Sequence, residues 1–81
     1  MFHNIASNGA NNLCGNNIAK YRKAMKLSQR QLADRLQLIG LDVDKNAIQR
    51  IEAGKRFVTD IELVALSKVL EQSLDCLIIA T

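Results

Sequence analysis

The strongest constraint on this chain is the stretch from Leu27 to Lys55, LSQRQLADRLQLIGLDVDKNAIQRIEAGK, which carries two short helical patterns separated by a glycine. Ser28 is a favourable helix N-cap, because its hydroxyl oxygen accepts a hydrogen bond from a backbone N–H of the first turn. Leu32, Ala33 and Leu36 follow it with the spacing of one helical face. The first pattern therefore predicts a helix with one buried side.

The second pattern is shorter and is marked at both ends. Gly40 interrupts the first pattern, Asp44 offers a new N-cap, and a helix is predicted from Lys45 to Ala53. Gly54 closes this helix, because glycine adopts the left-handed conformation after a helix end at little cost. Val43, before the cap, is suited to be a hydrophobic staple residue. The stretch thus predicts two short helices joined by a turn.

The second of these helices has two different faces. At about 100° per residue, Ile48 and Ile51 lie together on one edge. Asparagine and glutamine amides match adenine and the arginine fork matches guanine, so polar side chains on the other edge suit base reading in a major groove. These candidates are Asn46, Gln49 and Arg50. An ordinary amphipathic surface helix shows the same pattern and stays open as the alternative.

Three segments of the chain, in this order and spacing, resemble the phage-repressor type of helix-turn-helix protein, the Cro and Xre-like family. They are NNIAKYRKAMKLSQRQLADRL, NAIQRIEAGKR and LVALSKVLEQSLDCL. The resemblance covers residues 16 to 78 and implies an all-α fold, a compact five-helix domain of the lambda-repressor-like helix-turn-helix type. It also implies that the third helix enters the major groove of double-stranded DNA.

The resemblance also implies which residues contact DNA. Base edges are expected to be read by four polar residues of the third helix, namely Lys45, Asn46, Gln49 and Arg50. Phosphate contacts are expected from four residues near helix ends, namely Gln29, Arg30, Lys55 and Arg56. Gln29 lies in the first turn of the second helix, where free backbone N–H groups favour a phosphate oxygen. Alternatively, Gln29 only solvates that helix end.

The chain departs from the family by extra residues within Gln37 to Asp42. Three of them are large and apolar. We expect these three to pack against the core and to extend the second helix by a turn; they are Leu38, Ile39 and Leu41. The departure bears directly on how the third helix is placed.

The N-terminal part combines an uncharged segment with a helical pattern. Residues 1 to 15 show no sustained period, so we expect a flexible segment there and the folded domain at 16 to 81. Asn16 or Asn17 offers an N-cap for the first helix. Its predicted core face comprises Ile18, Tyr21 and Met25.

Two further helices are predicted in the C-terminal part. Thr59 and Glu62 form a capping box that starts the fourth helix, and Ser73 caps the fifth. The two apolar residues that precede this capping box are expected to close the core, Phe57 and Val58. Residues 78 to 80 are more apolar than a solvated end requires. A homodimer contact through the C-terminal helix explains this, and so does simple closure of the core.

The charges divide the chain into a basic and an acidic part. Between Lys20 and Arg56 there are ten basic and four acidic residues, whereas Phe57 to Thr81 contain one basic and four acidic residues. Because lysine and arginine contacts to phosphates supply most of the affinity for nucleic acid, the basic part fits a polyanionic partner. A solvated charged face without a partner is the alternative.

Other classes of function find little support in the sequence. Cys14 and Cys76 lack metal-ligand spacing and are expected to be free thiols in a reducing cytoplasm. The single histidine, His3, lies in the N-terminal segment that is expected to be flexible, so a catalytic thiol with a neighbouring base is not expected. No apolar run reaches the length needed to span a bilayer. We therefore expect no enzyme, no cofactor, no metal ion and no small-molecule ligand.

The leading hypothesis is a sequence-specific double-stranded DNA-binding protein, a bacterial or phage transcriptional regulator that represses by occupying an operator. A dimer would place its reading helices about 34 to 36 Å apart and would read an inverted repeat. The alternative is the antitoxin of a toxin-antitoxin pair that also binds its own promoter. An RNA adaptor is disfavoured, because only Phe2, Tyr21 and Phe57 are aromatic.

Overall fold

Five helices follow one another in the computed structural model, which describes residues 14–78 of the chain. They are α1 (Gly15–Ala24), α2 (Gln29–Leu38), α3 (Lys45–Glu52), α4 (Asp60–Leu70) and α5 (Leu74–Ile78). No strand occurs among these residues. The predicted all-α, five-helix fold is confirmed. Most of the predicted flexible segment, residues 1 to 13, lies outside the described part of the chain.

Helices α2 and α3 begin at the capping residues that the sequence predicted. The Oγ atom of Ser28 accepts a hydrogen bond from the Gln31 backbone N–H at 3.0 Å, and Gln31 Oε1 accepts one from the Ser28 N–H at 2.8 Å. The Oδ1 atom of Asp44 accepts from the Ala47 N–H at 2.8 Å. Gly54 follows α3 with φ +74°, as its predicted terminating role requires. Local chemistry therefore determines both ends of the α2–α3 unit.

Helix α1 begins earlier than predicted. Cys14 occupies the N-cap position without a side-chain cap, so the predicted cap at Asn16 or Asn17 is wrong. The Asn17 side chain is instead buried, and its amide donates to the backbone oxygen of Leu77 at 2.9 Å. Because this bond joins α1 to α5, the asparagine serves the tertiary structure rather than the helix end.

Helices α4 and α5 also begin as predicted. Thr59 and Glu62 form the reciprocal capping box, with bonds of 3.2 Å and 3.0 Å. Ser73 Oγ accepts from the Cys76 backbone N–H at 3.2 Å. Helix α4 packs against α1, α2 and α5. The residue at which α4 begins is thus determined by its own capping residues, whereas the position of the helix is determined by packing against three neighbouring helices.

Each of the five helices contributes a fully buried side chain to one core. Burying such a side chain stabilises the fold by about 1.5 to 3 kcal/mol. Val58 packs against this core as predicted, whereas Phe57 is about half exposed and its predicted role in closing the core is wrong. The loop turns inward only after Phe57. The largest fully buried side chains are those of Ile18, Leu32, Leu36, Ile48, Ile51, Leu66, Leu70 and Leu77.

The extra segment after α2 departs from the prediction. Leu38 and Ile39 are 86% and 52% exposed, so the expectation that they pack against the core is wrong, and α2 ends at Leu38 without gaining a full turn. Gly40 has φ +97° and reverses the chain. The Leu41 N–H then bonds to the oxygen of Leu36 at 3.0 Å. Only Leu41 of the three apolar residues packs against the core.

A nearly buried ion pair joins α1 to the C-terminal end of α3. The Nε and Nη2 atoms of Arg22 donate to the two carboxylate oxygens of Glu52 at 2.6 Å and 3.0 Å. The Nη1 atom of Arg22 donates to the backbone oxygen of Leu27 at 2.8 Å, and the Gln29 amide donates to Glu52 at 3.1 Å. The network therefore connects α1, the start of α2 and α3.

We predict that Arg22→Ala lowers the free energy of unfolding by about 3 to 5 kcal/mol, because it leaves the Glu52 carboxylate without its cation in a buried place. Urea denaturation at low temperature measures the loss. Arg30→Ala is the matched control, because Arg30 is exposed on α2; it should change the free energy by less than about 0.5 kcal/mol. Equal, small losses in both variants would contradict the role given to the pair.

A second prediction compares two leucines of α2. Leu36→Ala should cost about 2 to 5 kcal/mol, because Leu36 is fully buried and its truncation leaves a cavity. Leu38→Ala should cost less than about 0.5 kcal/mol, since Leu38 is exposed. Thermal unfolding followed by circular dichroism compares the two variants. A large loss for Leu38→Ala would show that the extra segment packs against the core after all.

The third prediction concerns acid. Burial raises the pKa of Glu62, but hydrogen bonds from the Thr59 backbone and from Arg56 outweigh burial and hold that pKa below its usual value. The carboxylate therefore contributes stability above its unfolded pKa of about 4.3, and this contribution disappears as the pH falls through the lower folded value. In the Glu62→Gln variant, the free energy of unfolding should fall less steeply between about pH 5 and pH 3 than in the unsubstituted protein. The same dependence of unfolding free energy on pH in both proteins would contradict the lowered pKa of Glu62.

Candidate nucleic-acid interface

Helix α3 presents one polar face to solvent and buries the other. Ile48 and Ile51 are buried in the core. The two-faced helix that the sequence predicted is therefore present, with its apolar edge inward. The four predicted base-reading side chains are all exposed on this helix: Lys45, Asn46, Gln49 and Arg50.

The exposed face of α3 is held at both ends of the helix. At the start, Asp44 caps α3 through its bond to the Ala47 N–H. At the end, Glu52 is bound by Arg22, and the Lys55 N–H bonds to the oxygen of Arg50 at 2.9 Å. The helix also packs along its length against α1 and α2. Polar side chains on such a supported helix keep a fixed spacing, which recognition of a rigid ligand requires.

Gln29 is only half buried, but its amide already has a partner inside the protein. Its Nε2 atom donates to Glu52 Oε1 at 3.1 Å. The backbone N–H groups of Gln29 and Arg30 belong to the first turn of α2, where helix geometry aims N–H groups outward and favours an anion. The side chain of Arg30 is exposed beside them. This helix end therefore combines a cation with outward N–H groups.

The two basic residues after α3 differ in their surroundings. Lys55 is exposed. Arg56 is half buried, and its Nη2 atom lies 3.0 Å from an oxygen of Glu62, in the first turn of α4. Sequence reasoning missed this ion pair, although a capping-box glutamate shortly after an arginine was a usable signal. The Arg56 charge therefore supports the start of α4 in addition to any external contact.

Sequence reasoning also missed that Arg22 is an internal group. It is among the ten basic residues of the basic part, but its side chain is only 11% exposed and is bound to Glu52. Because the two charges cancel, the excess positive charge of this part is carried by other residues. Eight of the ten are exposed, namely Lys20, Lys23, Lys26, Arg30, Arg35, Lys45, Arg50 and Lys55.

The cysteine chemistry is that of unpaired thiols. Both Cys14 and Cys76 are free, and burial raises the pKa of Cys14 to about 11. The buried thiol therefore stays protonated at neutral pH, which is the opposite of what a nucleophile needs. Across residues 14–78, no group of histidine, cysteine or acidic residues is arranged to hold a metal ion. None of the helices in that range is long and apolar enough to cross a membrane.

A solved structure with a similar arrangement of helices is that of a controller protein. The crystal structure of the restriction-modification controller protein C.AhdI from Aeromonas hydrophila superimposes with a TM-score of 0.68 at 25% sequence identity. The alignment covers 78% of this chain and 84% of that one. No curated protein sequence matches this chain.

The match at the level of families covers the same region. A family model described as helix-turn-helix matches residues 18–75, which include all of α2, α3 and α4 and most of α1. The resemblance inferred from the sequence is therefore confirmed. This chain belongs to the Cro/C1-type helix-turn-helix family of DNA-binding transcription regulators.

Proposed function

We propose that this protein is a sequence-specific regulator that reads double-stranded DNA with α3 in the major groove and represses by occupying an operator. One observation carries the proposal: α3 is fixed at both ends while its whole polar edge remains exposed. The major groove admits an α-helix and offers a distinct pattern of donors and acceptors for each base pair. A held helix with amide and guanidinium side chains matches that pattern.

Different side chains of α3 are suited to contact different bases. Arg50 offers a guanidinium fork for the O6 and N7 atoms of guanine, and the amides of Asn46 and Gln49 suit the N6 and N7 atoms of adenine. Lys45, at the first position of α3, offers an ammonium group for a guanine or a nearby phosphate. Each good bidentate pair contributes about 1 to 3 kcal/mol of discrimination.

Phosphate contacts are proposed at the two helix ends beside this face. Arg30 and Lys55 are exposed and supply charge. Gln29 contributes through its backbone N–H, because its amide is bound to Glu52. Arg56 contributes less than Lys55, because Glu62 already binds its guanidinium. Contacts of this kind set the position of the protein on the duplex, whereas α3 reads the sequence.

The proposal includes two copies of the chain on one operator. Two recognition helices separated by about 34 to 36 Å, one turn of DNA, read an inverted repeat. Similarity to a restriction-modification controller protein supports a regulatory role rather than an enzymatic one. The free thiols suit the reducing cytoplasm, where we place the protein.

The second candidate function is an antitoxin that also binds its own promoter. Exposed apolar side chains on α4 and α5 favour a protein partner, namely Ile61, Val64, Leu74 and Ile78. Copurification from the native host separates the two candidates. A second small protein bound in a fixed ratio supports the antitoxin, and its absence supports the regulator acting alone.

We predict that Arg50→Ala weakens binding to the preferred duplex by about 1 to 3 kcal/mol and relaxes specificity at one base pair, with little effect on random DNA. Lys55→Ala should weaken binding to all sequences alike and reduce the salt slope by about one. Fluorescence anisotropy with both duplexes at two salt concentrations measures these effects. Equal losses of affinity for preferred and random DNA in Arg50→Ala would show that Arg50 does not read a base.

A further inference from the structure

An exposed aromatic ring lies next to the basic residues that follow α3. Phe57 is 49% exposed, and it comes directly after Lys55 and Arg56 in the chain. Tyr21 is the other aromatic residue in the part of the chain that the structure describes, and it packs against the core. Within residues 14–78, the ring of Phe57 is therefore the aromatic ring that the fold leaves outside the core.

The loop that carries Phe57 is held on both sides of this residue. Before it, the Lys55 N–H bonds to the backbone oxygen of Arg50 in α3 at 2.9 Å. After it, Val58 packs against the core and Thr59 caps α4. Phe57 is thus held close to the end of α3 without being buried by the fold.

Lys55 and Phe57 are the two outward side chains of residues 55–58. Arg56, between them, is half buried, and its Nη2 atom lies 3.0 Å from an oxygen of Glu62. Two residues of chain span at most about 7 Å, so the two exposed side chains start close together. A phosphate bound by Lys55 would therefore have an apolar ring beside it.

We propose that Phe57 packs against a deoxyribose of the DNA strand whose phosphate Lys55 binds. Between successive phosphates, the backbone of a duplex presents the C–H groups of its sugars, and an aromatic ring gains free energy by losing water against such an apolar surface. A sugar contact carries no base information, so it adds affinity for every sequence alike. This contact rests on the proposed function, because it needs α3 in the major groove and Lys55 at the backbone.

The charge next to Phe57 favours DNA over an apolar protein surface as the occupant. A protein that covered the ring would also remove the exposed Lys55 from water, which is costly unless that protein supplies an anion. Duplex DNA carries a negative charge at every phosphate and a sugar beside it. One strand of DNA therefore satisfies both the cation and the ring.

The accessibility of a tryptophan at this position tests the contact. The chain contains no tryptophan, so Phe57→Trp and Leu38→Trp each introduce a single one. Leu38 is the control, because it is exposed and lies at the other end of α2 from Gln29, about 14 Å along the axis. We expect a saturating random-sequence duplex to lower acrylamide quenching of Phe57→Trp several-fold and to leave that of Leu38→Trp unchanged. Equal quenching of Phe57→Trp with and without the duplex would overturn the proposal.

The same tryptophan distinguishes contact with DNA from contact with another protein molecule. Acrylamide quenching of Phe57→Trp is measured without DNA over a range of protein concentrations, and we expect it to stay constant. Protection that grows with protein concentration in the absence of DNA would show that a second protein molecule covers this position, and it would overturn the proposal.

The salt dependence of DNA binding gives an independent readout. Phe57→Ala should weaken binding to preferred and random duplexes alike by about five- to tenfold and leave the salt slope unchanged, because an apolar contact releases no counterions. Leu38→Ala should change neither the affinity nor the slope. Circular dichroism of each variant confirms that the helices remain. An unchanged affinity or a reduced salt slope in the folded Phe57→Ala protein would overturn the proposal.

The same proteins separate this inference from the proposed function. Enrichment of a specific DNA sequence without protection of Phe57→Trp overturns the sugar contact alone. Protection of Phe57→Trp by random DNA, without enrichment of any sequence, supports the sugar contact and overturns the proposed sequence-specific function alone. Absence of any DNA binding overturns both.

Discussion

The ion pair between Arg22 and Glu52 is the interaction on which the geometry of helix α3 depends. The two side chains are 11% and 8% exposed, so both charges have largely lost their contact with water. Such a loss is compensated only by good geometry and by further hydrogen bonds. Two N–H groups of Arg22 reach the two carboxylate oxygens, and Leu27 and Gln29 supply the additional partners. The pair connects α1, the start of α2 and the end of α3.

A helix as short as α3 is marginal alone in water and obtains its position from its neighbours. Asp44 caps its start, Ile48 and Ile51 anchor its inner edge, and Glu52 holds its last turn. This support leaves the outer edge unused by the fold. Because Arg22 neutralises Glu52 internally, the acidic residue at the end of α3 does not repel a phosphate backbone. The same pair thus stabilises the fold and preserves a positive surface.

The sequence predicted what depends on near neighbours in the chain. The caps at Ser28 and Asp44 and the inner face of α3 follow local rules and were found as expected. The ion pair crosses 30 positions and the bond from Asn17 to Leu77 crosses 60, so neither has a local signature. The exposure of the segment after α2 was missed for a related reason. Hydrophobicity predicts burial there, but Leu38 lies on the face of α2 roughly opposite to the buried Leu36, and Ile39 caps the helix end before the chain turns back at Gly40.

Selection from a randomised duplex pool, followed by sequencing, measures whether α3 reads a DNA sequence. If α3 does so, an inverted repeat should be enriched whose half-site centres lie about 10 to 10.5 base pairs apart. Retention of the enriched DNA should fall steeply with added salt, because phosphate contacts release counterions. Salt-sensitive retention without any enriched sequence would show that α3 does not read bases and that the protein offers DNA only a basic surface.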